Sequence, residues 1–279
     1  MSVLNIIGEE KNNQTIDGRG ETLTGKDCLL VSSVREGCCW KVPKNITIKN
    51  FTIKGSVRLI GMGINGQEGY MGISSINENH TKLCQEAAPT KITFDNIKIE
   101  ANERIPFYIA PGCTRITLQN SELTGKSVAT AIYLDCESAW NTIENNVIRT
   151  KTLRESIAVD GSAFNTIRGN TFDFCEYGGI YLYRNSGEGG VIRHQSPVHN
   201  LIEKNTFNYK RNLLGKIMRI AFPAVWVGSR SHFMQYFYSY RDEDKGYNFG
   251  SSINNNDLAK YNKIRANKPK DMVIRVWET

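Results

Sequence analysis

The sequence predicts an all-β solenoid of short strands stacked in parallel, and three observations predict it. One phrase is written three times, as Asn141-Thr-Ile-Glu-Asn-Asn-Val-Ile148, Asn165-Thr-Ile-Arg-Gly-Asn-Thr-Phe172 and Asn200-Leu-Ile-Glu-Lys-Asn-Thr-Phe207. Looser copies lie upstream at Asn45-Ile-Thr-Ile-Lys-Asn-Phe-Thr-Ile53, Lys91-Ile-Thr-Phe-Asp-Asn-Ile-Lys-Ile99 and Arg115-Ile-Thr-Leu-Gln-Asn-Ser-Glu-Leu123, and a frayed one spans Tyr261 to Asn267. Where nothing is inserted the copies are 24 or 25 residues apart, with β-branched residues at alternate positions and Asn or Gly at the turns. The third observation is a second strand after each first one: Phe107–Ile109, Ile132–Leu134, Ile157–Val159, Ile180–Leu182 and Val225–Val227. Coils of this kind can only stack strand on strand, with Ile, Val, Leu and Phe filling the bore.

On these residues the chain resembles the right-handed parallel β-helix proteins, the superfamily of pectate lyases, polygalacturonases, mannuronan epimerases and phage tailspikes. The resemblance covers roughly residues 16 to 265. It implies an architecture and not a reaction, because the matching residues are core positions and turn asparagines. The expected fold is one domain over residues 1–279, a right-handed parallel β-helix of about eight coils, with insertions at about 62–90, 185–199 and 229–256.

Net charge is +7, which favours an acidic partner. Lys and Arg are scattered through the repeats and no recognition helix is readable, so nucleic acid is not expected and an anionic polysaccharide is. The seven cysteines have no regular spacing and no CxxC pair, which speaks against structural zinc. No leader and no 18-residue apolar run for a membrane span is readable. A reducing compartment with free thiols, or release by lysis, is the expectation. Assembly into a homo-oligomer is left open.

In chain order, Asn13 to Gly20 reads as a turn into the first coil and Leu29–Val31 as its strand, with residues 1–12 or a neighbouring subunit covering the open end of the bore. Gly61-Met-Gly-Ile-Asn-Gly66 matches GxGxxG but opens no helix with an apolar period, so it reads as a plain loop. The polar insertion from 62 to 90 is then a cleft wall or a cover for the first coils.

Strand alternation sends Tyr108, Tyr133, Tyr181 and Trp226 outward in one column, an expected platform for sugar rings. Beside it Asp135 and Asp160 fall at one position of consecutive coils, with Cα atoms roughly 4.8 Å apart. Three readings of that pair stand: acid and nucleophile of a retaining glycoside hydrolase, ligands of Ca²⁺, or a structural pair held by Arg184. No other cofactor is expected.

The insertion from Asn185 to His199 brings Tyr183, Arg184, Glu188, Arg193 and His194 to the same place. β-Elimination from a uronate needs a cation on the carboxylate, a base and an acid, for which Arg184 or Arg193, His194 and Tyr183 are the candidates. The resemblance implies such groups, since lyases and uronan epimerases of this fold use them. No family motif maps onto this loop, and the Asp-Pro-His-Glu of the mannuronan epimerases is missing. His199, directly before the repeat Asn200, reads as structural. Beyond Trp226, Arg230 and His232 are expected to extend the site, and Met272–Trp277 to close the helix. The leading function is a polysaccharide lyase, with a hydrolase using Asp135 and Asp160, or a binding or structural solenoid, as alternatives.

Overall fold

The computed structural model describes residues 2–64, 69–185, 191–209, 222–228, 259–268 and 274–276. The chain winds as a right-handed parallel β-helix with three long sheets. The first sheet runs through nine strands from Leu4–Ile7 to Ile274–Val276, the second through eight from Thr15–Asp17 to Lys263–Arg265. The third holds the short strands that follow each turn, Thr22–Thr24 to Thr206–Phe207. The second strands read from sequence lie together in the first sheet, and the repeated phrases supply the other two.

Inward positions stack like on like. Ile48, Phe94, Leu118, Ile143, Ile167, Ile202 and Ile264 form one unbroken column of the second sheet. Ile53, Ile99, Leu123, Ile148, Phe172 and Phe207 form another in the third. Nearly every one of these side chains is buried, which supplies the apolar area that holds coil to coil.

The turn asparagines hold the corners. Asn141, Asn165 and Asn200 each have a backbone N–H that donates to the side-chain oxygen of the next Asn up the ladder, at 2.8–2.9 Å, ending on Asn262. A second ladder runs through Asn146, Asn170, Asn205 and Asn267 at 2.9–3.0 Å. In it the side-chain amides of Asn146, Asn170, Asn205 and Asn267 also donate to Leu118, Ile143, Ile167 and Ile202 carbonyls at 2.8–3.0 Å. Turn backbone that would otherwise be buried without partners is satisfied in this way.

Two expectations change. Residues 1–12 do not simply cover the bore: Leu4–Ile7 pairs in parallel with Leu29–Ser32 and begins the first sheet. No helix was expected after the glycine motif, yet the 62–90 insertion holds helices α1 (Tyr70–Ser75) and α2 (His80–Glu86). Each is under two turns, too short for a 3.6-residue period to show in sequence. An antiparallel hairpin, Val34–Glu36 with Cys39–Lys41, stands beside them. Residues 65–68, the end of the glycine motif, lie outside the described residues.

Replacing Asn170 by Ala strips the Asn146 N–H of its acceptor and opens the ladder. We expect a loss of about 1–3 kcal/mol in denaturant unfolding. An unchanged midpoint would mean the ladder is decorative.

Candidate functional site

The outer face of the first sheet carries Arg58, Tyr108, Tyr133, Ala158, Tyr181 and Trp226 in register. Asp160 pairs with Tyr183 two residues on, on the same face. The column expected from sequence is therefore in place, but it is not an open platform. Tyr108 is 3% and Trp226 9% exposed, while Tyr133 and Tyr181 are half-buried. Beside the column a strap, residues 191–199, closes over Asp135 and Asp160, with its own Val191 and Ile192 buried.

Arg193 is the pin of that strap. Its Nη1 donates to Asp160 Oδ2 at 2.7 Å and its Nη2 to Asp135 Oδ1, so one guanidinium bridges both carboxylates. Asp135 and Asp160 are 0% exposed and Arg193 4%. The Tyr108 hydroxyl donates to Asp135 and the Tyr133 hydroxyl to Asp160. Asn185 adds its backbone N–H and side-chain amide to Asp160 at 2.7 and 2.9 Å. The place given from sequence to Ca²⁺ or Arg184 is filled by Arg193 instead. Arg184, also buried, donates to the His194 carbonyl at 2.9 Å. Tyr183 is 1% exposed and donates to buried Glu155, a partner not foreseen from sequence.

Glu137 is a second anchor missed from sequence. Its Oε1 accepts the backbone N–H of His194 at 2.7 Å and of Gln195 at 3.2 Å, and its Oε2 accepts the Thr81 hydroxyl of α2. The half-buried His194 places Nε2 2.7 Å from the Ser75 carbonyl of α1, with its ring 4.8 Å from that of His80. The helical insertion, the strap and two coils are thus tied into one block. Glu188, Arg230 and His232 lie outside the described residues, as does the whole of the 229–256 insertion.

Burial tends to lower the Arg193 guanidinium, but Asp135 and Asp160 outweigh it and hold the arginine firmly protonated. Burial pushes the Asp135 carboxyl up, with Asp160 adding to the rise and Arg193 opposing it. Burial would raise Glu137 too, yet His80, the Thr81 hydroxyl and the His194 N–H hold it below the usual carboxylate range. His80 is pushed down to about 4 by burial against the pull of Glu137.

Solvent-exposed rings lie on a different edge. Trp140, Phe164, His199 and Tyr261 stack with centroids 5.5, 5.1 and 5.0 Å apart and planes within 16°. Trp140 is 42%, Phe164 43% and Tyr261 71% exposed. Arg115 lies over Trp140 at 4.9 Å, and Lys91 precedes it at the same turn position. All six hold positive φ, between 54° and 61°. The signal was legible, since each ring directly precedes a ladder asparagine: Trp140-Asn141, Phe164-Asn165, His199-Asn200 and Tyr261-Asn262. His199, read as structural, is a rung of this stack.

A family model described as NosD, periplasmic copper-binding protein, matches residues 94–213, the coils that carry the strap and most of the asparagine ladders. No curated protein and no solved structure matches the chain.

Replacing Arg193 by Met leaves two buried carboxylates facing each other. We expect a loss of about 3–5 kcal/mol in denaturant unfolding. Adding Asp135→Asn and Asp160→Asn should recover much of it, and failure to recover would mean that Arg193 acts by packing alone.

Proposed function

We propose that this β-helix is a binding scaffold for an acidic polysaccharide rather than an enzyme that cleaves one. The observation that carries the reading is the Asp135–Arg193–Asp160 bridge, whose members are at most 4% exposed. Elimination or hydrolysis needs an acid and a base within reach of a substrate atom. Tyr183, Arg184, Arg193 and both aspartates are instead engaged with one another, with Glu155 or with the strap. A polymer could reach them only if the strap lifted and gave up its bonds to Glu137, Asp135 and Asp160.

The ligand-facing surface in this reading is the exposed edge. Lys91 and Arg115 form no ion pair among the described residues, and they continue in line into Trp140, Phe164, His199 and Tyr261. Cations for carboxylates beside rings for sugar C–H groups suit a uronate chain, and the net charge of +7 draws it in.

The matched family's description points to the periplasm, against the reducing compartment expected from the sequence. It also names copper. Among the described residues no three His, Cys, Asp or Glu side chains gather as ligands, and no role here is routed through such a set.

The test is affinity electrophoresis against a panel of uronate polysaccharides, with absorbance near 235 nm followed in parallel. We expect retardation by at least one polymer, weakened about tenfold or more by Trp140→Ala with Phe164→Ala, and a flat absorbance trace. A rise at 235 nm would restore the lyase with Tyr183 and His194 as its groups, and binding indifferent to both ring deletions would remove the ladder from the account.

A further inference from the structure

The helical insertion and the hairpin beside it face each other across a gap that neither fills. Arg35 and Trp40 are direct partners in the hairpin, so their side chains leave the same face of it. Tyr70, Ile73 and Ser74 share one face of α1. These two faces, together with Met62 and Leu83, line a cleft of about 260 Å³. Trp40 meets Tyr70 edge to face with centroids 5.8 Å apart, and the Arg35 guanidinium lies 4.0 Å from the centre of the Tyr70 ring. Tyr70 is nonetheless 48% and Ile73 71% exposed. We propose that this cleft is a binding site for a small carboxylate with an apolar body, an aryl-substituted short-chain acid.

Charge argues for the acid head. Arg35 forms no ion pair among the described residues, and the neighbouring Glu36, paired with Cys39, leaves the opposite face of the hairpin. The contact with Tyr70 fixes the guanidinium at the cleft wall without supplying an acceptor in the plane of its N–H groups. Those donors remain for a carboxylate, which a guanidinium takes through two parallel bonds.

The lining argues for the apolar body. Ser74 Oγ is already bonded to His80 Nδ1 at 2.9 Å, and Asn77 Oδ1 accepts the Asn79 N–H at 2.8 Å. The hydroxyls of a sugar would find few partners here, whereas Trp40, Met62, Ile73 and Leu83 offer apolar contact. Covering Tyr70 and Ile73 removes apolar surface from water and supplies the driving force. Drug-sized ligands take pockets of about 300–1,000 Å³, so a cleft of this size suits one ring on a short acid arm. Filling it neither requires nor opposes polysaccharide binding on the ring stack, and the two readings fail separately.

The test is fluorine NMR of the full chain labelled with fluorotryptophan. The chain has four tryptophans, and the resonance missing from Trp40→Phe marks the cleft. We expect phenylacetate to move that resonance saturably, and uncharged phenylethanol to bind about tenfold or more weakly, as loss of a charge-assisted bond requires. Arg35→Met, which keeps a stem over Tyr70, should bring the acid down to the level of the alcohol and leave the alcohol unchanged. A Trp40 resonance that phenylacetate never moves, or acid binding unchanged in Arg35→Met, would overturn the site. Glucuronate held as tightly as phenylacetate would overturn the apolar body.

Discussion

A chain wound into coils of equal length lays each residue on its own counterpart, about 4.8 Å above the one below. Everything else in this molecule follows from that stacking. Where the repeated residue is apolar, the result is a bore of Ile on Ile and Phe on Phe. Where it is Asn, each amide completes the backbone of the neighbouring coil. Where it is aromatic and outside, four rings line up over one another. Where it is Asp, the same rule sets two carboxylates side by side in the interior, and the fold must bring in a cation.

Arg193 is that cation, and it comes from outside the repeat. The strap that delivers it interrupts a regular solenoid, and its position is fixed by polar bonds more than by apolar contact. Glu137 takes two of its backbone N–H groups, while Gln195 donates to the carbonyls of Ser138 and Gly161 at 2.7 and 2.8 Å. The helical insertion is drawn in through Thr81, Gln85 and the Ser75 carbonyl. Charges gathered in one place thus serve cohesion here, although the same residue types gathered in an open cleft would serve catalysis.

The repeats were legible because a period of two and a period of one coil are properties of the chain alone. Register followed, so the columns of Tyr108, Tyr133, Tyr181 and Trp226, and of Asp160 beside Tyr183, could be written down in advance. What closed over Asp135 and Asp160 could not. The strap's path depends on Arg193 choosing Asp135 and Asp160 over solvent, a long-range pairing that leaves no local pattern. The helices α1 and α2 escaped for lack of length. The stack of Trp140, Phe164, His199 and Tyr261 was open to view in the residue before each ladder asparagine, but only His199 was singled out, and as structural.

The central claim is that the strap is a fixed part of the fold and keeps the ionisable network closed. Amide hydrogen exchange across residues 191–199, with and without a bound acidic polysaccharide, tests it most directly. The expected result is that the His194 and Gln195 amides exchange nearly as slowly as the asparagine-ladder amides in both conditions. Fast exchange in the free protein that slows when polymer is added would contradict it, because a strap that opens and closes over substrate is a lid, and the residues beneath it would again be candidates for catalysis.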